Sequence, residues 1–398
     1  MRVLILSPGT RGDVAPAAGL GAAFVADGHE VTIVANAEYE PIVTAAGCAL
    51  GPITASLGPP PGAPQGIRAH LAALRIYMDN AAAAALAAAP GAQAVLTNAV
   101  SPYGHDIAEG LGIPSVEALL QPAHPSADYP PMVASGRDLG RVGNLLAGRF
   151  MRWAPTPYDP ACARIRSELG LPPESRRAAQ RRRRAQGMPV HHGISPAVLP
   201  RPTDWPANLT LDGFWWPPDD DGWKPEPELS EFLDAGPAPV VITLGSIAQS
   251  PATVRALSEA LQANRVRAML QGAELREIAE RLDTPDVIHV GDVPHSWLLP
   301  RAAAVVHQAG AGITSAALRA GIPSVPLPTH TDQPFWARRL AALGAATDPI
   351  PIKKVDGPLL AAAIDQARSS QRLRDGARAV ADAMKDDNGT LPLREWLH

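Results

Sequence analysis

Three stretches of the sequence carry residue types able to do chemistry. The first is Val305-Val306-His307-Gln308-Ala309-Gly310-Ala311-Gly312-Ile313-Thr314-Ser315, an apolar run ending in a histidine, then a turn of small residues, then a helix-like segment. A helix start leaves backbone N–H groups unpaired and presents the positive end of the dipole, which suits phosphate. Gly310, Ala311 and Gly312 would let an anion approach the backbone, His307 could donate to it, and Thr314 and Ser315 could add hydroxyls. The same residues also describe a tight strand-to-helix turn whose glycines serve packing alone. The second stretch, Thr331-Asp332-Gln333-Pro334-Phe335-Trp336, sets a carboxylate beside a carboxamide, a pair able to clamp neighbouring hydroxyl groups. Asp332 is equally suited to N-cap a helix that begins near Pro334. The third is Asp13, between an apolar run and a helical pattern, where a carboxylate serves as N-cap, as general base, or as both.

These residues need elements to hold them, and the patterning supplies two sets. In the first half, apolar runs at 3–6, 30–35, 94–97 and 115–119 alternate with helical patterns, among them 14–26, which Gly28 ends. In the second half, runs at 239–244, 267–270, 287–290, 303–307 and 323–327 alternate with helices at 253–263 and through Ala320. Such alternation implies βαβ units, parallel sheets and right-handed crossovers. Between the halves, 214–238 is rich in Pro, Asp and Gly and is expected to hold little regular structure. Two doubly wound α/β domains joined there would form a cleft between their carboxyl strand edges, where such sheets bind ligands.

Composition narrows the function. With 46% hydrophobic residues, 19% charged residues and a net charge of −4, the chain is globular and lacks the basic balance of a nucleic-acid binder. Cys48 and Cys162 have no ligand-like spacing, so neither a disulfide framework nor a zinc site is implied. No run is long and apolar enough to span a bilayer, and a cytoplasmic location is expected.

Taken in order, the motifs resemble glycosyltransferase family 1, the GT-B fold, particularly bacterial antibiotic and natural-product glycosyltransferases of the vancomycin-group type and sterol glucosyltransferases. His307 to Gly344 resembles the donor-binding signature. Ser7-Pro8-Gly9-Thr10-Arg11-Gly12-Asp13-Val14 resembles the amino-terminal loop, Leu244-Gly245-Ser246 the first phosphate loop of the second domain, and Val293-Pro294-His295-Ser296-Trp297-Leu298 the segment beside the nucleobase. The resemblance spans nearly the whole chain and implies two Rossmann-like domains facing each other across a cleft. An acceptor-binding domain would cover 1–213, a linker 214–238, a donor-binding domain 239–380, and a helical tail 381–398 packing back on the first domain. It further implies inverting transfer of a sugar from a dTDP- or UDP-sugar to a hydroxyl of a small hydrophobic aglycone. Asp13 would be the base; Ser246, His307, Gly310, Ala311, Gly312 and Thr314 would hold the diphosphate. Asp332 and Gln333 would bind the sugar, and Val293 and Trp297 the base. Gln308, Ala309 and Ile313 stand where the family usually has histidine, glycine and threonine.

Helix dipole, backbone amides and His307 would neutralise the departing diphosphate, so no metal or other cofactor is expected. Asp219-Asp220-Asp221 is a metal-like carboxylate run, but it sits in the linker and reads as solvated charge. The acceptor is expected against the Asp13 loop, 56–70 and 121–152, with Arg11, Tyr77, Tyr129 and Met132 as candidate walls. Arg176, Arg177 and 181–184 form a basic run, expected as an exposed helix face or a loop. A capping role would lower the pKa of Asp13. Alternatives in the same fold are an inactive nucleotide-sugar-binding helper and a nucleotide-sugar epimerase. The chain is expected to act as a monomer or a homodimer.

Overall fold

The computed structural model describes residues 1–58, 67–132, 137–218, 222–245 and 249–398. Ser246, the carboxylate run 219–221 and much of 56–70 lie outside these described residues. The first seven strands are β1 (Arg2–Leu6), β2 (Glu30–Asn36), β3 (Ala49–Ile53), β4 (Ala94–Thr97), β5 (Ser115–Leu119), β6 (Val190–His192) and β7 (Leu209–Leu211). They pair in parallel in the order β3-β2-β1-β4-β5-β6-β7. Strands β8 (Val240–Thr243), β9 (Ala268–Gln271), β10 (Val287–Val290), β11 (Ala304–His307) and β12 (Ser324–Pro326) form a second parallel sheet, ordered β10-β9-β8-β11-β12.

Both sheets are doubly wound, and in both the strand order reverses once, between β1 and β4 and between β8 and β11. Loops at such a reversal diverge to opposite faces, leaving a crevice at the carboxyl strand ends. Central strands are buried on both faces and read as continuous apolar runs, as in Val240-Val241-Ile242 and Val305-Val306, all fully buried.

Three local features depart from the sequence reading. The first helix spans Arg11–Ala26, not 14–26, because Thr10 rather than Asp13 is its N-cap. The linker region contains a helix, Pro227–Asp234, with proline in its first turn where the missing N–H costs nothing. The basic run is a helix, Arg176–Ala185, but not a uniformly exposed one. Arg176 and Arg183 are buried, and Arg183 joins buried Arg166 on Asp106, at 2.6 and 2.9 Å.

The two sheets are also joined away from the crevice. Leu119, Tyr129, Ile194 and Val198 from the first half share a core with Phe335, Trp336 and Leu340 from the second. The final helix, Leu391–Leu397, returns to the first half: Leu393 and Leu397 pack with Val3, Ile5 and Phe24, and Arg394 grips Asp27 through both carboxylate oxygens.

Candidate active site

The Asp13 side of the crevice is built by the turn after β1. Gly9 has φ of 145° and an added Cβ would strike the Asp13 carboxylate, so this turn needs glycine both for its backbone and for space. The Gly9 N–H donates to the Tyr77 hydroxyl at 2.8 Å, Tyr77 donates to Asn36 Oδ1 at 2.5 Å, and Asn36 Nδ2 donates to Ala55 O at 3.2 Å. Tyr77 is fully buried. It therefore props the turn from behind instead of lining an acceptor pocket, through contacts between residues far apart in the chain.

Asp13 occupies the third position of its helix. Its Oδ2 accepts from the Thr10 N–H at 2.9 Å and from the Thr10 hydroxyl at 3.2 Å. These bonds favour the carboxylate, but burial in the crevice outweighs them, and the charge of Asp332 adds to it. The pKa is pushed up to about 6, opposite to the lowering expected of a capping carboxylate. Below Asp13 a small cavity is lined by Leu6, Ser7, Leu20, Leu96, Asn98 and Trp215, at the reversal between β1 and β4.

The opposite wall is the β11 turn. His307 is fully buried and its Nδ1 accepts from the Ala309 N–H at 2.9 Å, which fixes the ring proton on Nε2. Burial holds the imidazole pKa down to about 3, so the ring is a neutral donor across the physiological range. Among the described residues, His307 Nε2 and the buried Thr314 hydroxyl have no hydrogen-bond partner. Two orphaned polar groups beside the start of helix Ala311–Ala320 are a cost unless a polar ligand meets them. Ser315 differs, since its hydroxyl donates to Gly312 O at 2.8 Å. Ala309, one of the departures from the family pattern, has φ of 60°, a conformation that favours glycine.

Asp332 is half-buried, accepting from Trp336 Nε1 and the Thr331 hydroxyl, each at 3.1 Å, and burial raises its pKa. It begins helix Gln333–Ala342 but its side chain does not cap it. Gln333 Oε1 accepts from the Thr329 N–H at 2.8 Å and its hydroxyl at 2.6 Å, so this amide also shapes the loop.

The walls meet closely. A Cβ on Gly312 would lie 4.0 Å from Gly12 Cα, and Arg11 Nη1 sits 2.6 Å from both carboxylate oxygens of Asp292. Arg11 thus ties the Asp13 turn to the loop before Val293. Val293 is less free than expected for a base-pairing backbone: its N–H donates to Gly291 O at 3.0 Å and its carbonyl accepts from Gln271 Nε2 at 2.7 Å. His295, which lies in the same segment but was given no role of its own, donates to Gln271 Oε1 at 3.0 Å. Trp297 lies between Trp223 and the Arg301 guanidinium, on a groove beside the linker helix. Tyr129 packs edge-on against Trp205 and Phe335 in the shared core, with Met132 against the same cluster.

Two doubly wound parallel sheets with ligand-seeking groups at facing reversal points define a GT-B glycosyltransferase architecture. Residues 268–390 match the family described as erythromycin biosynthesis protein CIII-like, C-terminal domain. The chain is 33% identical to the O-mycaminosyltylonolide 6-deoxyallosyltransferase of Streptomyces fradiae, over 100% of this chain and 97% of that one. Among solved structures, the kitacinnamycin glycotransferase superposes with a TM-score of 0.71 at 19% identity, covering 100% of this chain and 98% of that one. VinC, solved in complex with dTDP, gives 0.67 at 19% identity, again over 100% and 98%. This chain belongs to the antibiotic-type glycosyltransferases of GT-B fold.

Proposed function

We propose that this enzyme transfers a sugar, with inversion, from a dTDP- or UDP-sugar to a hydroxyl of a small apolar acceptor. Asp13 takes the hydroxyl proton as the acceptor oxygen bonds to the anomeric carbon. The bond from that carbon to the diphosphate oxygen breaks, and its electron pair leaves with the diphosphate. The start of helix Ala311–Ala320, the His307 Nε2 proton and the Thr314 hydroxyl would meet that charge, while Asp332 and Gln333 would orient the sugar. No metal is needed in this scheme, because fixed N–H and O–H donors carry the stabilisation.

The observation that carries the reading is Asp13 itself: a carboxylate over an apolar cavity, pushed up to about 6 chiefly by burial, with the charge of Asp332 adding to the shift. A base with a pKa near working pH accepts a proton better than an ordinary surface aspartate. The dTDP complex of VinC supports a thymidine diphosphate donor, and the acceptor named for the S. fradiae relative supports a macrolide-like aglycone. The test is Asp13→Asn, assayed with a panel of dTDP- and UDP-sugars and apolar aglycones. Turnover should fall by roughly 10²–10⁴ with thymidine diphosphate affinity nearly unchanged. Normal turnover would remove Asp13 from the chemistry.

A further inference from the structure

The fold brings together the basic run 176–184 and the aromatic stretch 150–153, which ends the segment expected against the acceptor but makes none of the contacts described for the crevice walls. Helix Gly140–Trp153 and the residue before it present Leu139, Val142, Leu146, Phe150 and Trp153 to solvent, at 52%, 73%, 58%, 64% and 64% exposure. Steps of three and four residues keep them on one face. The opposite face is seated on the first half: Asn144 and Gly148 are buried, Gly148 lies against Pro125, and Asn144 Nδ2 donates to Ala127 O at 3.5 Å. The apolar stripe therefore points outward from a seated helix. Single exposed apolar side chains are ordinary, whereas a continuous stripe marks a surface that something covers.

The surroundings are cationic. The Arg177 guanidinium lies 5.0 Å from the centre of the Trp153 ring, and Arg137, Arg149 and Arg181 are exposed. Asp138 is the sole acid in 137–153, and it is already engaged by Asn144 and the Gly140 N–H. This patch stands out on a chain whose net charge is −4.

We propose that this face docks on an anionic lipid surface, with the stripe entering the headgroup boundary and the arginines meeting lipid phosphates. A helix lying flat with aromatic and aliphatic residues inward and arginines at its flanks suits that boundary. A second copy seated on the same stripe about a two-fold axis would set arginine against arginine, so the charge pattern favours lipid over self-association. No spanning segment is involved: among the described residues no helix is long and apolar enough to cross a membrane.

The test floats the full-length protein with phosphatidylcholine vesicles, with and without phosphatidylglycerol. Binding should require phosphatidylglycerol and weaken with salt. Combined Phe150→Ser and Trp153→Ser should lower it by about ten-fold or more, and Arg149→Glu with Arg181→Glu should lower it comparably. Thermal melting and thymidine diphosphate binding of these variants should match the parent, and Val142→Ser carries the test if the double variant melts early. Failure to float with anionic vesicles, or equal flotation by the variants, would overturn the proposal. So would a dimer in light scattering that the Phe150 and Trp153 changes disperse.

Discussion

At the scale of single residues, the crevice holds groups whose energetics make sense when a ligand arrives. Asp13 is the first. Folding raises its pKa from 3.8 to about 6, so between those values the folded protein binds more protons than the unfolded chain. Stability therefore falls as pH rises through that window, and the full penalty is present above it. Two units correspond to about 3 kcal/mol, which solvent at the half-open crevice should reduce to on the order of 1 kcal/mol. Asp13→Asn should thus melt slightly higher than the parent at pH 8 and equally at pH 3.5, while catalysis by the parent should rise with pH through about 6. Equal melting at both pH values would show that burial does not strain this carboxylate. Thr314 is the second. Its unpartnered hydroxyl predicts that Thr314→Val, which keeps the shape, stabilises the free protein by about 1 kcal/mol. If that hydroxyl meets a phosphate oxygen, the same change weakens thymidine diphosphate binding by roughly ten-fold or more. Calorimetry on one variant reads both effects, and unchanged affinity would take Thr314 out of the diphosphate site.

At the scale of elements, the strands most legible in the sequence were those buried on both faces. The runs 94–97 and 115–119 coincide with β4 and β5, because a parallel strand covered by helices has no polar alternation to confuse. Strands β3 and β7 were missed for a related reason. Ala-Leu-Gly-Pro-Ile carries a glycine and a proline, which a sheet tolerates at an edge, and β3 is an edge strand. β7 has three residues, too few for a pattern, and lies at the other edge. Of the site, the two ligand-facing turns could be read from glycine spacing, whereas the Tyr77 and Asn36 prop depends on contacts 68 and 41 residues apart. The basic run shows the same limit. Its composition suggested a solvated face, yet Arg183 and Arg166 converge on Asp106 in the interior, and the neighbouring Glu109 is held near 2: burial pulls it up, but bonds from Arg182, Arg166 and Arg183 outweigh that. Removing the central acid leaves two buried guanidinium groups short of a partner. Asp106→Ala should cost about 3–5 kcal/mol in urea unfolding, a loss typical of a broken buried ion network. A cost within the range of surface substitutions would mean that water reaches this cluster.

At the scale of the whole molecule, the chain does not keep its two sheets separate. After building the second sheet it passes back across the first, where the Trp215 indole donates to Gly389 O at 2.8 Å and helix Leu391–Leu397 covers β1 and the Asp13 helix. The helix that carries Asp13 is thus packed partly by the far end of the sequence. Leu393 is fully buried in that contact, and Leu393→Ala should cost about 2–5 kcal/mol through the cavity it leaves. Where the cost appears is more telling than its size. If the terminal helix serves mainly as a strap on the first half, hydrogen exchange should quicken in β1, β2 and helix Arg11–Ala26, while β8 and β11 keep their protection. Catalysis should then weaken because Asp13 is less firmly placed, with thymidine diphosphate affinity little changed. Quickened exchange confined to the second sheet would instead assign the helix to the donor side and leave the Asp13 turn independent of it.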